Sequence, residues 1–168
     1  MLSYNKFLSQ KEVFMNNDPN YNTNEPQMFI NAQYIKDLSF ENPNPVANLS
    51  IDTTPKVSVN IDIGVKAIQE NSYEVSLTVN SSASVEDNTL FIVELEYAGI
   101  FTLVNTPEEQ REFILLVNCP NLLFPFARRI IADATRDGGY QPLMINPVDF
   151  YSLYHQKKQS QEDENTIN

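Results

Sequence analysis

The sequence predicts an α+β fold: a four-stranded antiparallel sheet followed by a long kinked helix and a C-terminal helix. Four segments in the first two thirds of the chain alternate apolar and polar residues with a period of two, the pattern of strands with one buried face. This alternation favours antiparallel pairing, because parallel strands are covered on both faces and read as continuous apolar runs. The last third carries helix signals, and strands followed by helices are typical of segregated α+β folds.

The predicted strands occupy residues 29–41, 56–65, 72–80 and 90–103. In the first strand we expect one face to carry Ile30, Ala32, Tyr34, Leu38 and Phe40, and the other to carry Asn31, Gln33, Asp37, Ser39 and Glu41. The short segment 85–88 predicts a hairpin between the third and fourth strands. Residues 42–54 are too many for a hairpin and predict a crossover between the first two strands.

The long helix has a clear start signal. We expect Thr106 to cap its first turn, with Pro107 at the first helical position and Glu109 three residues after the cap. Pro120 and Pro125 are expected to interrupt the helix, because proline removes a backbone hydrogen bond and collides with the preceding turn.

The C-terminal region and the termini complete the organisation. The long helix is predicted to resume over 126–136, and a second helix to open at 146–149. The asparagine-rich segment 1–27 is predicted to be a disordered N-terminal extension, and 159–168 a flexible acidic tail. We therefore expect one folded domain at 28–158.

Charge and composition exclude several classes of function. The chain has 22 acidic and 11 basic residues, a net charge of −11, which argues against nucleic-acid binding because that affinity depends on Lys and Arg. No apolar run approaches the roughly 20 residues of a membrane span, and the N-terminal residues do not resemble a secretory signal. We expect a cytoplasmic protein with no stable membrane insertion, in which the lone Cys119 is a buried thiol.

The sequence offers little support for catalysis. The single histidine, His155, has neither metal-ligand spacing nor a nucleophile to serve, and glycine-rich phosphate loops are missing from the sequence. We predict no catalytic residue, no metal site and no cofactor. An enzyme on a helix-on-antiparallel-sheet fold, such as a thioesterase-like one, stays open as an alternative.

Three segments resemble the SecB family of protein-export chaperones. Residues 119–128, C-P-N-L-L-F-P-F-A-R, are similar to the family run C-P-N-x-L-F-P-[FY]-A-R. Residues 140–150 and 35–44 are similar to its P-x-L-x-L-x-P-[VI]-[ND]-F and Y-x-K-D-[IL]-S-F-E-x-P-N patterns. A family G-G-I-F also fits, although Ala98 replaces its first glycine. The resemblance covers about 28–155.

The resemblance implies a function and two partners. It implies an ATP-independent holdase that keeps secretory preproteins unfolded and delivers them to the SecA translocation ATPase, working as a homotetramer built from two dimers. Any zinc in that transfer would belong to SecA. A SecB-like chaperone that serves a toxin–antitoxin pair stays open as an alternative.

The resemblance also implies sites. Family positions that bind SecA match Asp37, Glu41, Ile92 and Glu94, although carboxylates on a surface sheet often serve solubility alone. The client-binding groove is predicted at Val57, Val59, Tyr140, Leu143, Phe150, Leu153 and Tyr154, with ordinary core packing as the alternative. The residues predicted to form the oligomer interface are Phe113, Leu116, Ile130 and Ile131.

Overall fold

The alternating segments form one antiparallel sheet in the computed structural model, which describes residues 24–48 and 53–166. The strands are β1 (Gln27–Glu41), β2 (Lys56–Gln69), β3 (Ser72–Val85) and β4 (Asn88–Val104). The sheet order is β1-β4-β3-β2, so the first two strands lie on opposite edges. This confirms the predicted crossover, which contains the short helix α1 (Pro45–Asn48), and the predicted hairpin, whose turn is Glu86-Asp87.

Two β-bulges change the predicted faces of β1. The pairing with β4 shifts by one residue between Ile30 and Ala32, and again between Ile35 and Asp37. Each bulge inserts one extra residue and so reverses the alternation. The prediction was therefore wrong between the bulges, where Ala32 and Tyr34 face away from the helices and Gln33 faces them. Beyond the second bulge the predicted faces are correct, because the two shifts cancel.

The long helix is continuous through both prolines, contrary to the prediction. It comprises α2 (Glu108–Phe113), a π-helical turn (Ile114–Asn118) and α3 (Cys119–Asp137). In the π-helical turn the Cys119 amide donates to the Ile114 carbonyl, so Pro120 falls where the helix returns to α-helical bonding. Packing against the sheet compensates for the bonds that the prolines remove, because tertiary contacts supply most helical stability in proteins.

The helix start differs from the prediction by one residue. Pro107 is the N-cap residue, and the Thr106 hydroxyl donates to the Val104 carbonyl at 3.2 Å. Glu108 and Glu109 occupy the first turn, where the helix dipole favours negative charge.

The C-terminal helix α4 (Phe150–Thr166) begins where the sequence predicts but extends further. Asp149 caps this helix: its carboxylate accepts hydrogen bonds from the Ser152 amide at 3.0 Å and from the Ser152 hydroxyl at 2.7 Å. Its backbone runs through 159–166, where the sequence predicts a loose tail, since no proline or glycine breaks the helix there. The predicted N-terminal extension falls mainly on residues 1–23, which lie outside the described residues.

The core lies between the long helix and the two central strands. Leu123, Ala127 and Ile131 of α3 are 0% exposed and pack on buried residues of β3 and β4. The remaining fully buried large side chains include Phe101, Phe150, Leu77, Leu95, Leu103, Val75, Val79 and Val93. The helices cover mainly β3 and β4, so both edge strands keep apolar side chains accessible.

By length and composition alone, the segment Glu108–Asp137 is long and apolar enough to cross a membrane, contrary to the prediction that no apolar run approaches such a length. Core helices of soluble proteins pass the same test. In this fold the apolar side of the helix packs on the sheet.

Candidate functional site

The outer face of the sheet, the side turned away from the helices, carries the predicted acidic positions. Glu41 of β1 lies opposite Ile92 of β4, and Asp37 lies opposite Glu96. Glu94 lies between those pairs on the same face. Directly opposite residues have Cβ atoms about 4.5–5.5 Å apart. The structure therefore brings together all four residues predicted to bind SecA.

We call Asp37, Glu41 and Glu94, with Ile92 among them, the acidic cluster. The three carboxylates are exposed and Ile92 is half-buried. Within residues 24–48 and 53–166, none of these carboxylates forms an ion pair. Uncompensated negative charge around an apolar side chain is complementary to a basic, partly apolar partner surface.

A second group of charged residues on the outer face was not predicted. Lys36 Nζ lies 2.9 Å from Glu74 Oε1 and 2.8 Å from Glu96 Oε1, and the Tyr34 hydroxyl donates to Glu74 Oε2. We call these four residues the Lys36 cluster. The hydrogen bond from Tyr34, followed by that from Lys36, lowers the pKa of Glu74. The carboxylates of Glu96 and Glu74 raise the pKa of Lys36. Alternation could not reveal this group, because Lys36 and Tyr34 reach the outer face through the bulges.

On the opposite side of the sheet, β2 presents a row of apolar side chains. Val57, Val59 and Val65 are 42%, 38% and 41% exposed, and Ile61 and Ile63 between them are half-buried. These residues face the helix side, but β2 is an edge strand beyond most of the helix packing. From Val57 to Ile63 the row extends roughly 20 Å, at about 3.3 Å per residue.

Two grooves adjoin this row. The connector is the segment 138–149, which joins α3 to α4. The connector groove, with a volume of about 660 Å³, is lined by Val57, Tyr140 and Leu143, among others. The C-terminal groove, about 530 Å³, lies between β2, the long helix and α4, and includes Leu153 and Tyr154. Val59 lies in the row between the two grooves, so six of the seven predicted client-binding residues lie in or beside them.

Phe150 does not belong to either groove. It is 1% exposed, and its ring packs edge-on against Phe124 with centroids 5.9 Å apart. A side chain this buried has no surface for a client, so we remove Phe150 from the candidate groove. Its position at the first turn of α4 anchors that helix to the core.

Tyr140 has a structural role that sequence reasoning missed. Its hydroxyl lies 2.8 Å from Asn42 Oδ1 and 2.9 Å from the Leu90 carbonyl, and it accepts from Asn48 Nδ2 at 3.1 Å. Its ring packs on Phe91, with centroids 5.0 Å apart. Tyr140 therefore links the connector to the crossover and forms a wall of the connector groove.

Two of the four predicted oligomer-interface residues are buried in the core of their own subunit, and the other two are half-buried. Ile130 and Ile131 are 9% and 0% exposed, so both belong to the core. Phe113 is half-buried and packs edge-on against Tyr154 of α4, with centroids 5.7 Å apart. Leu116 is half-buried and lines the C-terminal groove.

Sequence reasoning missed a different apolar surface on α3 and β1. We call it the β1–α3 surface: Ile35, Leu38, Leu122 and Phe126 are exposed by 47%, 42%, 39% and 43%. Phe126 stacks on Tyr97, the β4 residue opposite Ile35, with centroids 6.1 Å apart. A spacing of four residues places Leu122 and Phe126 on one side of the helix, a signal that was available in the sequence.

The single histidine and the single cysteine lie in different surroundings. His155 is exposed and packs against Tyr151, with the rings tilted by 60° and their centroids 4.4 Å apart. Burial raises the pKa of the Cys119 thiol to about 12, far from the range of reactive thiols. In the part of the chain that the structure describes, no three His, Cys, Asp or Glu side chains cluster in a way that could hold a metal.

Comparison with known proteins identifies the family. The profile of the family described as preprotein translocase subunit SecB matches residues 21–161. The protein-export protein SecB of Parvibaculum lavamentivorans is 49% identical over 143 residues, 84% of this chain and 85% of the relative. That of Rickettsia akari is 48% identical over 142 residues, 82% of this chain and 93% of the relative.

A solved structure has a similar fold. A SecB-like chaperone of Mycobacterium tuberculosis, solved in complex with a peptide from an antitoxin, aligns with a TM-score of 0.58 at 14% identity. The alignment covers 73% of this chain and 91% of the other. The predicted fold, the export role and the non-enzymatic character agree with these findings: the chain belongs to the SecB family of protein-export chaperones, which bind preproteins and do not catalyse a reaction.

Proposed function

We propose that this chain holds unfolded preproteins along the apolar row of β2 and delivers them to the SecA ATPase through its acidic cluster, without using ATP itself. One observation carries the proposal: the two faces of the sheet are chemically opposite and both are accessible. The outer face has exposed carboxylates around Ile92, whereas the helix side leaves Val57 and Val59 uncovered.

The apolar row suits a client that has no fixed shape. An unfolded preprotein exposes apolar side chains and unpaired backbone, and β2 offers both an apolar face and the free backbone of an edge strand. The two adjoining grooves add pockets for larger side chains. Several weak contacts of this kind on one assembly would increase avidity by roughly 10²–10⁴.

Replacing Val57 and Val59 together by Ser tests the client site. Each substitution removes about 1 kcal/mol of apolar contact, so the pair should weaken binding of an unfolded preprotein at least roughly tenfold. Binding is measured by fluorescence anisotropy, and holding by light scattering from a diluted, denatured preprotein. The matched control is Val46→Ser with Met144→Ser, two residues 81% and 58% exposed outside both grooves. Equal protection by the two double variants would refute the site.

Charge reversal tests the acidic cluster. Glu41→Lys with Glu94→Lys should weaken SecA binding by roughly tenfold or more, since a lost charge-assisted contact costs about 1.5–3 kcal/mol. The matched control is Asp62→Lys with Glu70→Lys, the same charge change at exposed positions of β2 and its turn. Affinity is measured by calorimetry at low and high salt. If both double variants bind SecA equally at low salt, the cluster is not the binding site.

For assembly we propose a homotetramer, a dimer of dimers, formed through the β1–α3 surface. Four copies, each with net charge −11, would carry −44, so apolar contact must outweigh repulsion. The exposed Leu38, Leu122 and Phe126 supply such contact, whereas Ile130 and Ile131 are already buried. Sedimentation velocity of the wild-type chain should give four subunits, and Leu122→Lys should give smaller species. A wild-type monomer would refute the proposal.

The compartment we propose is the cytoplasm, where preproteins are held before export. The free, buried Cys119 is compatible with a reducing compartment. Cell fractionation tests this, and recovery of the chain from the periplasm would contradict it.

Chaperoning of a toxin–antitoxin pair is the second candidate. The likeness to the mycobacterial chaperone supports it, but at 14% identity that likeness concerns the fold. The relatives at 48–49% identity are export proteins, so we favour export. Co-purification from cells distinguishes the two, by recovering either preproteins with SecA or a toxin–antitoxin pair.

A further inference from the structure

The second bulge of β1 decides where the acidic cluster lies. Before the bulge, Ile35 pairs with Tyr97 on the helix side; after it, Asp37 pairs with Glu96 on the outer face. Lys36 is the extra residue between them. If Lys36 were instead paired regularly, with no bulge, alternation would turn Asp37 and Glu41 toward the helices, away from Ile92 and Glu94.

The side chain of this extra residue is held across three strands. Lys36 Nζ contacts Glu96 of β4 at 2.8 Å and Glu74 of β3 at 2.9 Å. These side chains are 33%, 32% and 19% exposed, so water screens the contacts only partly. Tyr34, two residues before Lys36, donates to the same Glu74. The bulge is thus tied to the two central strands by its own extra residue and by Tyr34, two residues before it.

We propose that Lys36 is a positioning residue for partner binding: its contacts with Glu74 and Glu96 hold the β1 bulge that presents Asp37 and Glu41 beside Ile92 and Glu94. This inference rests on the proposed function, in which the acidic cluster binds SecA. Lys36 acts through the carboxylates and does not itself contact the partner.

A simple effect of net charge and a loss of positioning predict opposite changes in SecA binding when Lys36 is replaced. Removing this lysine adds one net negative charge, which by itself strengthens attraction to a basic partner. If Lys36 positions the acidic cluster, its loss weakens binding in spite of the added charge. The sign of the effect therefore distinguishes positioning from a simple contribution to surface charge.

The experiment compares Lys36→Met with Lys66→Met by calorimetric titration with SecA. Lys66 is exposed on the outer face of β2, opposite Glu74, and forms no ion pair among the described residues. Lys36→Met should bind SecA roughly two- to fivefold more weakly than wild type, the range expected for a partly exposed ion-pair network. Lys66→Met should bind equally well or slightly more tightly, and Lys36→Arg, which keeps the charge, should restore binding.

A second measurement follows β1 directly. Hydrogen exchange at the amides of residues 37–41 should accelerate in Lys36→Met and not in Lys66→Met. Lys36→Gln is measured in parallel and takes the place of the methionine variant if that variant does not fold. Binding of Lys36→Met equal to or tighter than that of Lys66→Met, or unchanged exchange at 37–41, overturns the inference.

Failure of the positioning inference can be distinguished from failure of the proposed function. If Glu41→Lys with Glu94→Lys weakens SecA binding and Lys36→Met does not, the positioning inference alone fails. If the charge-reversed double variant binds as its control does, the proposed function fails first.

Discussion

Removing the hydroxyl of Tyr140 should loosen the crossover while leaving the core intact. The hydroxyl can donate one hydrogen, to Asn42 Oδ1 at 2.8 Å or to the Leu90 carbonyl at 2.9 Å, and it accepts one from Asn48 Nδ2. Tyr140→Phe keeps the ring on Phe91 and removes those bonds.

The expected magnitude follows from the partners that remain. Each net hydrogen bond contributes about 0.5–1.5 kcal/mol, so two lost bonds give an upper bound of about 3 kcal/mol. Asn48 keeps its bond to the Leu90 carbonyl at 3.3 Å and still accepts from Asn88 at 3.0 Å. Because no group at Asn48 is left without a partner, we expect a loss of about 1–2 kcal/mol in the free energy of unfolding.

Urea unfolding measures the loss, at one fixed protein concentration because assembly contributes to stability. Hydrogen exchange locates it: the Asn48 amide, bonded to the Asn44 carbonyl at 2.9 Å, should exchange faster while amides of β3 stay protected. Tyr151→Phe, at an exposed tyrosine of α4, is the control and should change stability by less than about 0.5 kcal/mol. If Tyr140→Phe is as stable as Tyr151→Phe, the linking role of Tyr140 is wrong.

Two further predictions concern the core. Gly138→Ala should destabilise the chain by about 1–3 kcal/mol in urea unfolding, because a Cβ at this position collides with the ring of Phe40. Adding Phe40→Leu to the same chain should recover part of the loss. Unchanged stability of Gly138→Ala would count against the contact. Burial raises the pKa of the Cys119 thiol to about 12, so the native protein at about pH 8 should not react with a maleimide. The chain unfolded in guanidinium should react fully. Rapid labelling of the native protein would contradict this burial.

Strand alternation predicted the strands correctly but placed some side chains of β1 on the wrong face. The period of two predicted the four strands, because side-chain direction along a strand depends on local backbone geometry. The length of segment 42–54 predicted the crossover. The alternation misplaced Ala32, Gln33 and Tyr34, since a bulge depends on pairing with another strand. Asp37 and Glu41 were placed correctly because they follow both bulges.

The proline prediction failed for a related reason. The rule that Pro120 and Pro125 interrupt a helix describes a helix in isolation. Here one side of the helix, with Leu123, Phe124 and Ala127, is buried on the sheet. The π-helical turn ends just before Pro120, the residue that lacks a backbone N–H donor. Neither effect is visible in the residues that surround the prolines.

The sequence could not predict which apolar side chains are accessible to a client and which are buried in the core. Phe150 and Ile131 are large apolar residues like Phe126 and Leu153. The first two are buried, whereas the last two are exposed. Composition cannot separate them, because a core and a client groove both use large apolar side chains. Their exposure depends on which strands the helices cover.

The sequence by itself determined the strands, the helices, the excess of negative charge and the family motifs, since each of these depends on local order along the chain. Tertiary structure alone decided which apolar residues stay accessible along β2 and β1, and how Lys36 joins three strands around the acidic cluster. Those features arise from contacts between residues far apart in the chain, and such contacts leave no periodic signal in the sequence.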